Sequence, residues 1–486
     1  MNLLSQLYSH SLCLLTDLYE LTMAYGYWKE GLAEREATFD LTFRKHPFGG
    51  EFAVACGLSF VVDWLRQFHF QDSDLAYLKT LPGADGKPLF DNGFLEYLRH
   101  LEFDCDLYGV PEGVPVFAHE PLIRTQGPLL QCQLVETVLL NLINFQTLVA
   151  TKAARVCLAA GGDPVMDFGL RRAQGIDGGL AATRAAFVGG CMATSNVLAG
   201  KLYDIPVRGT HAHSWVMAFD GELESFRAYA DALPNNCIFL VDTYDTLRGV
   251  RRAARVGNQL RQQGFELVGV RLDSGDLAEL SKQARQLLNE AGHPTAKIVA
   301  SSDLDEFAIA RLKERGAQVD IWGVGTRLVT AYDQPALGGV YKLAALRDED
   351  QWRPKIKLSE EPNKISIPGI LQVRRFNHQG LHVADMIYDE LHGVTEPPEM
   401  VLLNDNRVWH PPADATSSDL LVPVFERGVC VYEPPSTQEA QARTIQELAA
   451  LPADVKRLTD ATPYPVGLER FLHDLRENLI AQITQG

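Results

Sequence analysis

Short apolar runs that end in polar or glycine residues recur through the middle of the chain, and most are followed by an amphipathic stretch. A short apolar run has the length of a β-strand, and an apolar stripe at helical spacing predicts a helix. The runs are Pro164–Phe168, Ile205–Val207, Cys237–Val241, Leu267–Val270, Lys297–Ala300, Val319–Trp322 and Gly339–Leu343. The predicted helices between them include 222–233, 245–263, 277–291 and 304–315. This alternation is typical of βα units and therefore predicts a parallel sheet.

The number of strands favours one of two parallel architectures. Seven strands with intervening helices favour an irregular (β/α) barrel of the TIM type over a doubly wound sheet, which stays the alternative. We assign the barrel to residues 126–348, and its helix at 304–315 is predicted to begin after Asp303, with Glu306 completing a capping box. The flanks, 1–125 and 349–486, are predicted to form a second α/β domain built from both chain ends.

Composition limits the partners and the compartment. The chain has 486 residues, enough for two domains, and 46% of them are hydrophobic and 22% charged. Its net charge of −17 argues against nucleic acid and anionic membranes as partners, and no apolar run is long enough to cross a bilayer. Asp17 and Glu20 interrupt the apolar N-terminus, which predicts a folded helix rather than a signal peptide. Scattered cysteines without a C-x-x-C pair indicate reduced thiols in a cytoplasmic protein.

The polar residues at the predicted strand ends are candidates for a binding site, because the carboxyl ends of barrel strands carry active sites. Gly323-Val-Gly-Thr326 follows one strand, and glycines there let backbone N–H groups approach an anion. A tight turn between strand and helix is the alternative explanation. Arg271 and Asp273 lie on one face of an extended strand end, where they form either a carboxylate-binding site or a structural ion pair.

Two histidines follow another strand, in Thr210-His-Ala-His213. On an extended strand end His211 and His213 would share a face, as metal ligands do, although no third ligand is near in the sequence. One imidazole could instead act as a nucleophile towards a phosphoryl group. A core histidine with satisfied hydrogen bonds is the third interpretation.

Two basic sets lie outside the predicted barrel. They are Arg44-Lys45, which precede Pro47-Phe-Gly-Gly50, and Lys355, Lys357 and Lys364. Solvated surface is the plain interpretation, but in an acidic chain these side chains are also candidates for binding a polyphosphate.

Seven motifs, in order from about residue 15 to residue 370, resemble those of nicotinate phosphoribosyltransferases. They are Leu15–Tyr19, Phe43–Gly50, Asp167–Gly175, Ser195–Gly200, Gly209–His213, Arg271–Asp276 and the stretch from Gly323–Thr326 through Gly339–Leu343. The resemblance implies the type II phosphoribosyltransferase fold, with an irregular α/β barrel and an α/β domain made from both chain ends. It also implies a head-to-tail homodimer with shared active sites.

The reaction that the resemblance implies belongs to NAD salvage. Nicotinate and phosphoribosyl pyrophosphate would give nicotinate mononucleotide and pyrophosphate. The family couples this transfer to ATP hydrolysis through a phosphohistidine, which places it with the ligases. The expected ligands are therefore nicotinate, phosphoribosyl pyrophosphate, ATP as co-substrate, and Mg²⁺ bound with the pyrophosphate rather than by protein ligands alone.

Residue by residue, the resemblance implies specific roles. His213 matches the histidine phosphorylated by ATP, with His211 as the alternative, and Asp273 lies by the reacting centre. The implied nicotinate-binding residues are Tyr19, donated across the dimer, and Phe168, Ser195, Thr210 and Arg271. The implied phosphoribosyl pyrophosphate-binding residues are Arg171, Ser302, Gly323, Gly325, Thr326, Arg44, Lys357 and Lys364.

Several competing functions are weighed against this one. Nicotinamide enzymes place an aspartate to accept from the substrate amide, and the matching segment Ala193–Asn196 contains no acid, which favours a carboxylate substrate. A nicotinamide phosphoribosyltransferase and a non-catalytic barrel that binds phosphoribosyl compounds stay the alternatives. A quinolinate enzyme or an aldolase-type barrel would need groups that the strand ends do not carry. Val241–Asp245 only approaches the pattern of the type I phosphoribosyltransferase loop.

Overall fold

The computed structural model describes residues 11–361 and 364–485 and shows a mixed α/β protein of two compact units. One unit holds the described residues up to Thr147, together with Ala336–Pro435 and the residues from Arg443 onward. The other holds Leu148–Pro335 and Ser436–Ala442. Both chain ends therefore contribute to one unit, and the middle of the chain makes the other.

The helices in chain order are α1 (Leu18–Lys29), α2 (Leu58–Leu65), α3 (Asp72–Leu78), α4 (Asn92–Arg99), α5 (Leu129–Leu134), α6 (Glu136–Ala160), α7 (Gly175–Val188), α8 (Val197–Tyr203), α9 (His213–Met217), α10 (Glu222–Ala232), α11 (Thr246–Gln262), α12 (Leu277–Glu290), α13 (Glu306–Glu314), α14 (Thr326–Val329), α15 (Thr437–Ala450) and α16 (Arg470–Gln485). Single turns of 3₁₀-helix cover Pro47–Gly49 and Leu170–Arg172. None of the helices in the described part of the chain has both the length and the apolar character needed to span a membrane.

The strands in chain order are β1 (Glu36–Phe43), β2 (Ala53–Val54), β3 (Asp106–Gly109), β4 (Pro115–Val116), β5 (Pro121–Pro128), β6 (Val165–Asp167), β7 (Ala193–Thr194), β8 (Ile238–Leu240), β9 (Gly269–Leu272), β10 (Lys297–Ala300), β11 (Ile321–Val324), β12 (Gly339–Asp348), β13 (Gln351–Pro354), β14 (Leu371–His378), β15 (Leu381–Asp389), β16 (Met400–Leu402), β17 (Val408–Trp409), β18 (Thr416–Asp419), β19 (Val422–Glu426), β20 (Val429–Cys430) and β21 (Val466–Glu469). They form three large sheets and one short two-stranded sheet in the described residues.

The unit at the middle of the chain is built on a parallel sheet in the order β7-β6-β11-β10-β9-β8. Five of its strands are the apolar runs that the sequence predicts, because strands buried on both faces need near-continuous hydrophobic sequence. The short strand β7 was not predicted, and the run at 205–207 forms only an isolated parallel bridge between Val207 and Thr194. Strand pairing among the described residues leaves β7 and β8 as edges, so it gives an open parallel sheet and not the closed barrel.

Aspartate side chains start the helices that follow the parallel strands. Asp245 accepts from the N–H of Arg248 at 2.8 Å at the start of α11, and Asp276 accepts from the N–H of Ala278 at 3.2 Å at the start of α12. Each cap satisfies a backbone donor that the first helical turn leaves without a partner. The carboxyl ends of the strands are in this way joined to helices by short, fixed turns.

The predicted capping box at α13 is wrong. The N-cap is Asp305, which accepts from the N–H of Ala308 at 2.7 Å, and Asp303 lies before it in the loop. Glu306 is fully buried and forms ion pairs with Lys152 at 2.7 Å and Arg155 at 3.0 Å. The carboxylate of Glu306 therefore pairs with buried cations and does not complete a capping box.

The unit made from the two chain ends carries antiparallel sheets. The larger sheet has the order β13-β12-β1-β5-β3-β19-β20. A second sheet has the order β17-β16-β21-β15-β14-β18. The run at 339–343, predicted as a barrel strand, is part of β12 and pairs with β1 antiparallel, which corrects that assignment.

The bounds of the units differ from the predicted domain bounds of 126 and 348. The boundaries fall at 147/148 and 335/336, because β5 and β12 both pair with β1 and so belong to the unit of the chain ends. The eight cysteines are free thiols, six of them buried.

Candidate active site

A cavity of about 550 Å³ opens at the carboxyl ends of the parallel strands. His211 lines it, and so do eleven residues to which the resemblance assigns a catalytic or binding role: Phe168, Arg171, Ser195, Thr210, His213, Arg271, Asp273, Ser302, Gly323, Gly325 and Thr326. They come from the ends of different strands and from the segment before α9. The parallel sheet therefore gathers residues that are up to 158 positions apart in the sequence, from Phe168 to Thr326.

Arg271 is the centre of the hydrogen bonds in this cavity. Its guanidinium donates to Thr210 Oγ1 at 3.1 Å, to Ser301 Oγ at 2.7 Å and to Asp273 Oδ1 at 2.9 Å. Three fixed partners hold the planar group in one orientation, which is the arrangement that suits bidentate binding of a carboxylate.

Asp273 carries its two oxygen atoms in different surroundings. Oδ1 accepts from Arg271 and from the hydroxyl of Ser301. Oδ2 lies 3.9 Å from Nε2 of His213. The side chain is about one-third exposed to the cavity, with a relative accessibility of 31%. One carboxylate oxygen is therefore anchored, and the other can face a positive charge that develops in a bound substrate.

Phe168 gives the cavity an aromatic wall. Its N–H donates to the carbonyl of Val324 at 2.8 Å, and the Arg271 guanidinium carbon lies 5.5 Å from the ring centroid. A Cβ atom on Gly323 would lie 2.7 Å from two carbons of the ring, so only glycine at 323 leaves room for it. The first glycine of the Gly-Val-Gly-Thr motif thus has a packing role that the sequence did not indicate.

Asp167 fixes the turn that carries Phe168, and sequence reasoning missed this role. The buried carboxylate accepts from the N–H of Gly169 at 2.8 Å and from the hydroxyls of Thr183 and Thr194 at 2.9 Å each. Burial raises the pKa of Asp167, against these hydrogen bonds. An aspartate at the end of an apolar strand was the available signal, but its partners come from elements that only the fold brings together.

His213 is the first residue of the short helix α9. Its Nδ1 lies 3.1 Å from the hydroxyl oxygen of Thr243, and its side chain is 42% exposed. Because a helix begins at His213, the prediction that His211 and His213 share one face of an extended strand is wrong. Among the described residues no group of three metal-ligating side chains is found.

His211 uses both ring nitrogens within the fold. Nε2 accepts from the N–H of Leu240 at 3.3 Å, and Nδ1 donates to the carbonyl of Ala212 at 3.3 Å. The ring packs against Tyr229 with centroids 5.0 Å apart, and burial lowers the pKa of His211. The imidazole is therefore neutral and fully occupied, which leaves His213 as the histidine with a nitrogen available in the cavity.

Ser301 and Ser302 follow β10 and have different roles. Ser301 is buried and hydrogen bonds to both Arg271 and Asp273, a role not predicted from the sequence. Ser302 lines the cavity with a backbone φ of +133°, a conformation that costs energy for a residue with a side chain. Strain of this kind is held by the surrounding structure and is typical of ligand-binding loops.

Profiles of three protein domains match nearly the whole chain. The N-terminal domain of nicotinate phosphoribosyltransferase (NAPRTase) matches residues 14–144, the NAPRTase family matches 164–367, and the C-terminal domain matches 372–476. Nicotinate phosphoribosyltransferase of Bacillus subtilis is 44% identical over 467 residues, which cover 94% of this chain and 93% of the relative. The enzyme of the same name from Dictyostelium discoideum is 38% identical, covering 96% and 88%.

The chain belongs to the nicotinate phosphoribosyltransferase family. The crystal structure of human nicotinic acid phosphoribosyltransferase superposes on it with a TM-score of 0.82 at 33% identity, covering 96% of this chain and 99% of the human chain. The similarity in fold and sequence thus extends over both units and is not limited to the motifs around the cavity.

Four of the residues predicted to bind the substrates of a nicotinate phosphoribosyltransferase do not line this cavity. Tyr19, on α1, is 46% exposed and belongs to the unit of the chain ends, as do Arg44, Lys357 and Lys364. The structure does not bring these four into the cavity of the parallel sheet.

Arg44 and Lys364 line a second, small cavity of about 30 Å³, within the unit of the chain ends. Lys342 is a further basic residue there, next to Asp40 and His119. Burial raises the pKa of Asp40 well above its ordinary value and lowers the pKa of His119 to about 4. With this pKa His119 is neutral near pH 7, and the basic side chains that line the cavity are Arg44, Lys342 and Lys364.

Glu20, the neighbour of Tyr19, is a buried carboxyl group that titrates near neutral pH. It accepts from the hydroxyls of Thr16 and Thr137. Burial raises its pKa from 4.5 to about 7. The folded chain therefore keeps this proton at pH values at which the unfolded chain has already released it, and stability from this group is lost as the pH rises from 4.5 to 7.

We expect Glu20→Gln to remove this pH dependence. Near pH 5 the variant and the wild type should have similar melting temperatures, and at pH 8 the variant should be more stable by about 1–3 kcal/mol, or roughly 2–6 °C in Tm. Thermal unfolding between pH 5 and pH 8 measures this difference. Glu30→Gln, at the exposed end of the same helix, is the control. A difference in Tm that does not change with pH would contradict the assignment.

Proposed function

We propose that this chain transfers a phosphoribosyl group from phosphoribosyl pyrophosphate to nicotinate, forming nicotinate mononucleotide and pyrophosphate. The observation that carries the proposal is the convergence of Arg271, Asp273 and Phe168 in one cavity at the carboxyl ends of the parallel strands. A cation for a carboxylate, an anion for a developing positive charge and a flat apolar wall are the three groups that the reaction needs.

Nicotinate is bound in the proposal by its ring and by its carboxylate. The pyridine stacks on Phe168, and the carboxylate accepts from Arg271, with the hydroxyls of Thr210 and Ser195 close by. Ser195 is held by a hydrogen bond from its N–H to the carbonyl of Asp167 at 2.9 Å. No acidic side chain stands at 193–196, so nothing in that segment repels an anionic substrate.

Asp273 acts on the sugar. Loss of pyrophosphate from C1′ builds positive charge on the ribose, and the carboxylate that Arg271 and Ser301 hold in place stabilises it. Arg171, Ser302, Gly323, Gly325 and Thr326 are the proposed contacts of the phosphate groups in this cavity. Mg²⁺ would be held together with the pyrophosphate and, when bound, would neutralise the charge of this leaving group.

ATP coupling is assigned to His213. Its imidazole lies in the same cavity as Asp273, and His211 has no nitrogen to spare. Phosphorylation of His213 by ATP and later hydrolysis of the phosphohistidine would add the free energy of ATP to the transfer reaction. This makes the chain an ATP-dependent ligase in the salvage of NAD.

A homodimer with shared sites accounts for the four predicted residues outside the cavity. A second copy would supply Tyr19 as the opposite stacking face, and Arg44, Lys357 and Lys364 as contacts to the phosphates. The proposal is supported by the exposure of Tyr19 and by the positive charge around the small cavity at Arg44 and Lys364. Exposed apolar side chains near the parallel sheet, such as Val197 and Leu202 of α8, are candidates for burial in the dimer.

An irregular barrel is the architecture proposed for the parallel sheet. Two contacts of the segment 205–211 support it. Val207 bridges to Thr194 beside one edge strand, β7, and the ring of His211 accepts from the N–H of Leu240 in the other edge strand, β8. The imidazole then takes the place of a hydrogen bond between strands. The free thiols fit the proposed cytoplasmic location, where disulfides are rare.

The direct test of the transfer reaction is product analysis. The chain is incubated with nicotinate, phosphoribosyl pyrophosphate and Mg²⁺, with and without ATP, and nicotinate mononucleotide and pyrophosphate are quantified. Equal amounts of both products are expected, at a higher rate or yield with ATP. Failure to form nicotinate mononucleotide under either condition would contradict the proposal.

His213→Asn is expected to abolish the phosphoenzyme that the wild type forms from radiolabelled ATP and to remove the effect of ATP on transfer. The asparagine keeps polarity but has no nitrogen that can take a phosphoryl group. His211→Asn should still form phosphoenzyme, provided that its melting temperature shows it to be folded. An acid-labile phosphoenzyme in the His213 variant would transfer the role to another residue.

A further inference from the structure

The loop between β8 and α11 contacts both residues to which the proposed function assigns chemistry. The hydroxyl oxygen of Thr243 lies 3.1 Å from Nδ1 of His213. The carboxylate of Asp242 accepts from the N–H of Asp273 at 3.0 Å and from the hydroxyl of Ser274 at 2.6 Å. One dipeptide thus fixes the side chain of His213 and the backbone of Asp273 relative to each other.

The two nitrogens of His213 stand in different surroundings. Nδ1 has Thr243 within hydrogen-bond distance, whereas Nε2 has Asp273 Oδ2 at 3.9 Å, beyond the range of a hydrogen bond. The partner of one ring nitrogen sets which nitrogen of a neutral imidazole carries the proton. A proton on Nδ1, donated to the threonine hydroxyl, leaves the lone pair of Nε2 free.

We propose that Thr243 is a positioning residue that holds His213 with the Nδ1 proton on the threonine hydroxyl, so that Nε2 is the nitrogen that accepts the phosphoryl group. The inference rests on the proposed ATP coupling and adds to it the nitrogen that reacts and the residue that selects it. His211 provides a contrast, because its Nε2 accepts from a backbone N–H and is not free.

The phosphorylation step balances with this assignment. The Nε2 lone pair forms a bond to the γ-phosphorus of ATP, and the bond from that phosphorus to the bridging oxygen breaks, with its electron pair leaving on ADP. Nδ1 keeps its proton and its hydrogen bond to Thr243. The phosphorylated ring is then an imidazolium, and its positive charge faces the Oδ2 atom of Asp273.

Thr243 suits this role for reasons of geometry. A threonine side chain is branched at Cβ and is therefore restricted in χ1, so it holds its hydroxyl in few positions. Thr243 is half-buried, and Asp242 beside it is tied to the loop of Asp273. Tyr244, the next residue, is 59% exposed and offers a matched site for a control substitution.

The test uses the full chain with Thr243→Val, which keeps the shape and removes the hydroxyl, and Thr243→Ser, which keeps the hydroxyl. Tyr244→Phe is the control. Proteins labelled with ¹⁵N-histidine report the tautomer of His213 by NMR, with His213→Asn used to assign its signals. The wild type, Thr243→Ser and Tyr244→Phe should show His213 protonated on Nδ1, and Thr243→Val should lose this preference.

The second readout is the phosphoenzyme formed from ATP. The wild type should carry phosphate on Nε2, as judged by ³¹P NMR, and Thr243→Val should lower its yield or rate of formation about tenfold. Thr243→Ser should restore it to within about threefold of the wild type. A generally weakened fold would not be rescued by serine in this way, and melting temperatures of all variants check for such weakening.

Different results overturn the inference and the function on which it rests. Phosphate on Nδ1, a wild-type His213 protonated on Nε2, or an unchanged tautomer and phosphoenzyme yield in Thr243→Val would each overturn the role of Thr243. A wild type that forms nicotinate mononucleotide but no phosphoenzyme at all would overturn the ATP coupling itself, and the role of Thr243 in it.

Discussion

Asp273→Asn is expected to lower kcat for phosphoribosyl transfer about a thousandfold, or by about 4 kcal/mol of transition-state stabilisation. The asparagine keeps the size of the side chain and can still accept from Arg271 and Ser301, but it carries no negative charge towards C1′ of the ribose. KM for both substrates should change by less than about threefold, because the lost interaction forms mainly in the transition state. Steady-state kinetics with nicotinate and phosphoribosyl pyrophosphate measure both parameters.

Asp276→Asn is the matched control for this prediction. Asp276 lies three residues further along the chain, caps α12 and pairs with Arg315 at 2.6 Å, outside the cavity. Asparagine can also cap a helix, so this variant loses the same charge without losing the helix start. If Asp273→Asn kept kcat within tenfold of the wild type, the carboxylate would not act at the reacting centre.

Arg271→Lys should raise KM for nicotinate about a hundredfold, while KM for phosphoribosyl pyrophosphate changes by less than about threefold. Lysine keeps the charge but cannot offer two parallel N–H groups to the carboxylate. It also cannot bond at once to Thr210, Ser301 and Asp273, as the guanidinium does. Initial rates at varied nicotinate, with the other substrate saturating, give the change.

Arg285→Lys is the matched control for Arg271→Lys. It shows whether the change in KM comes from loss of the carboxylate site or from the loss of any arginine–aspartate ion pair. Arg285 pairs with Asp320 at 2.9 Å, as Arg271 does with Asp273, and both arginine side chains are 18% exposed. Arg285 does not line the cavity, so its substitution should leave KM for nicotinate unchanged. If KM for nicotinate were also unchanged in Arg271→Lys, Arg271 would not be the residue that binds the carboxylate.

The elements around the site could be predicted because their sequence pattern is local. Runs such as Ile298–Ala300 are apolar along their length, since a parallel strand is buried on both faces, and each ends where polar residues begin. The positions of Arg271, Asp273 and His213 at the cavity followed from this pattern together with the family motifs. The periodicity of a segment predicts whether it is a strand or a helix, but it does not predict which strands lie beside it. Gly339–Leu343 was for this reason assigned to the wrong sheet.

The contacts that organise the site depend on strand order, which the sequence does not contain. Ser301 reaches Arg271 because β10 lies beside β9, and Thr243 reaches His213 from a loop 30 residues away. His211 and His213 also differ in their hydrogen bonds for reasons of tertiary structure. His213 begins α9, whereas His211 accepts from a backbone N–H of β8. In the sequence, serines, threonines and histidines with such roles cannot be distinguished from others of the same type, because their partners come from other elements.

The most direct test of the account is the ratio of kcat/KM for nicotinate to kcat/KM for nicotinamide in the wild type. The two pyridines differ in charge and not in shape, so the ratio measures whether the cavity recognises a carboxylate through Arg271. We expect a preference for nicotinate of at least about a thousandfold, because a site built for one polar group leaves buried partners unpaired with the other. A ratio near one, or a preference for nicotinamide, would contradict the account.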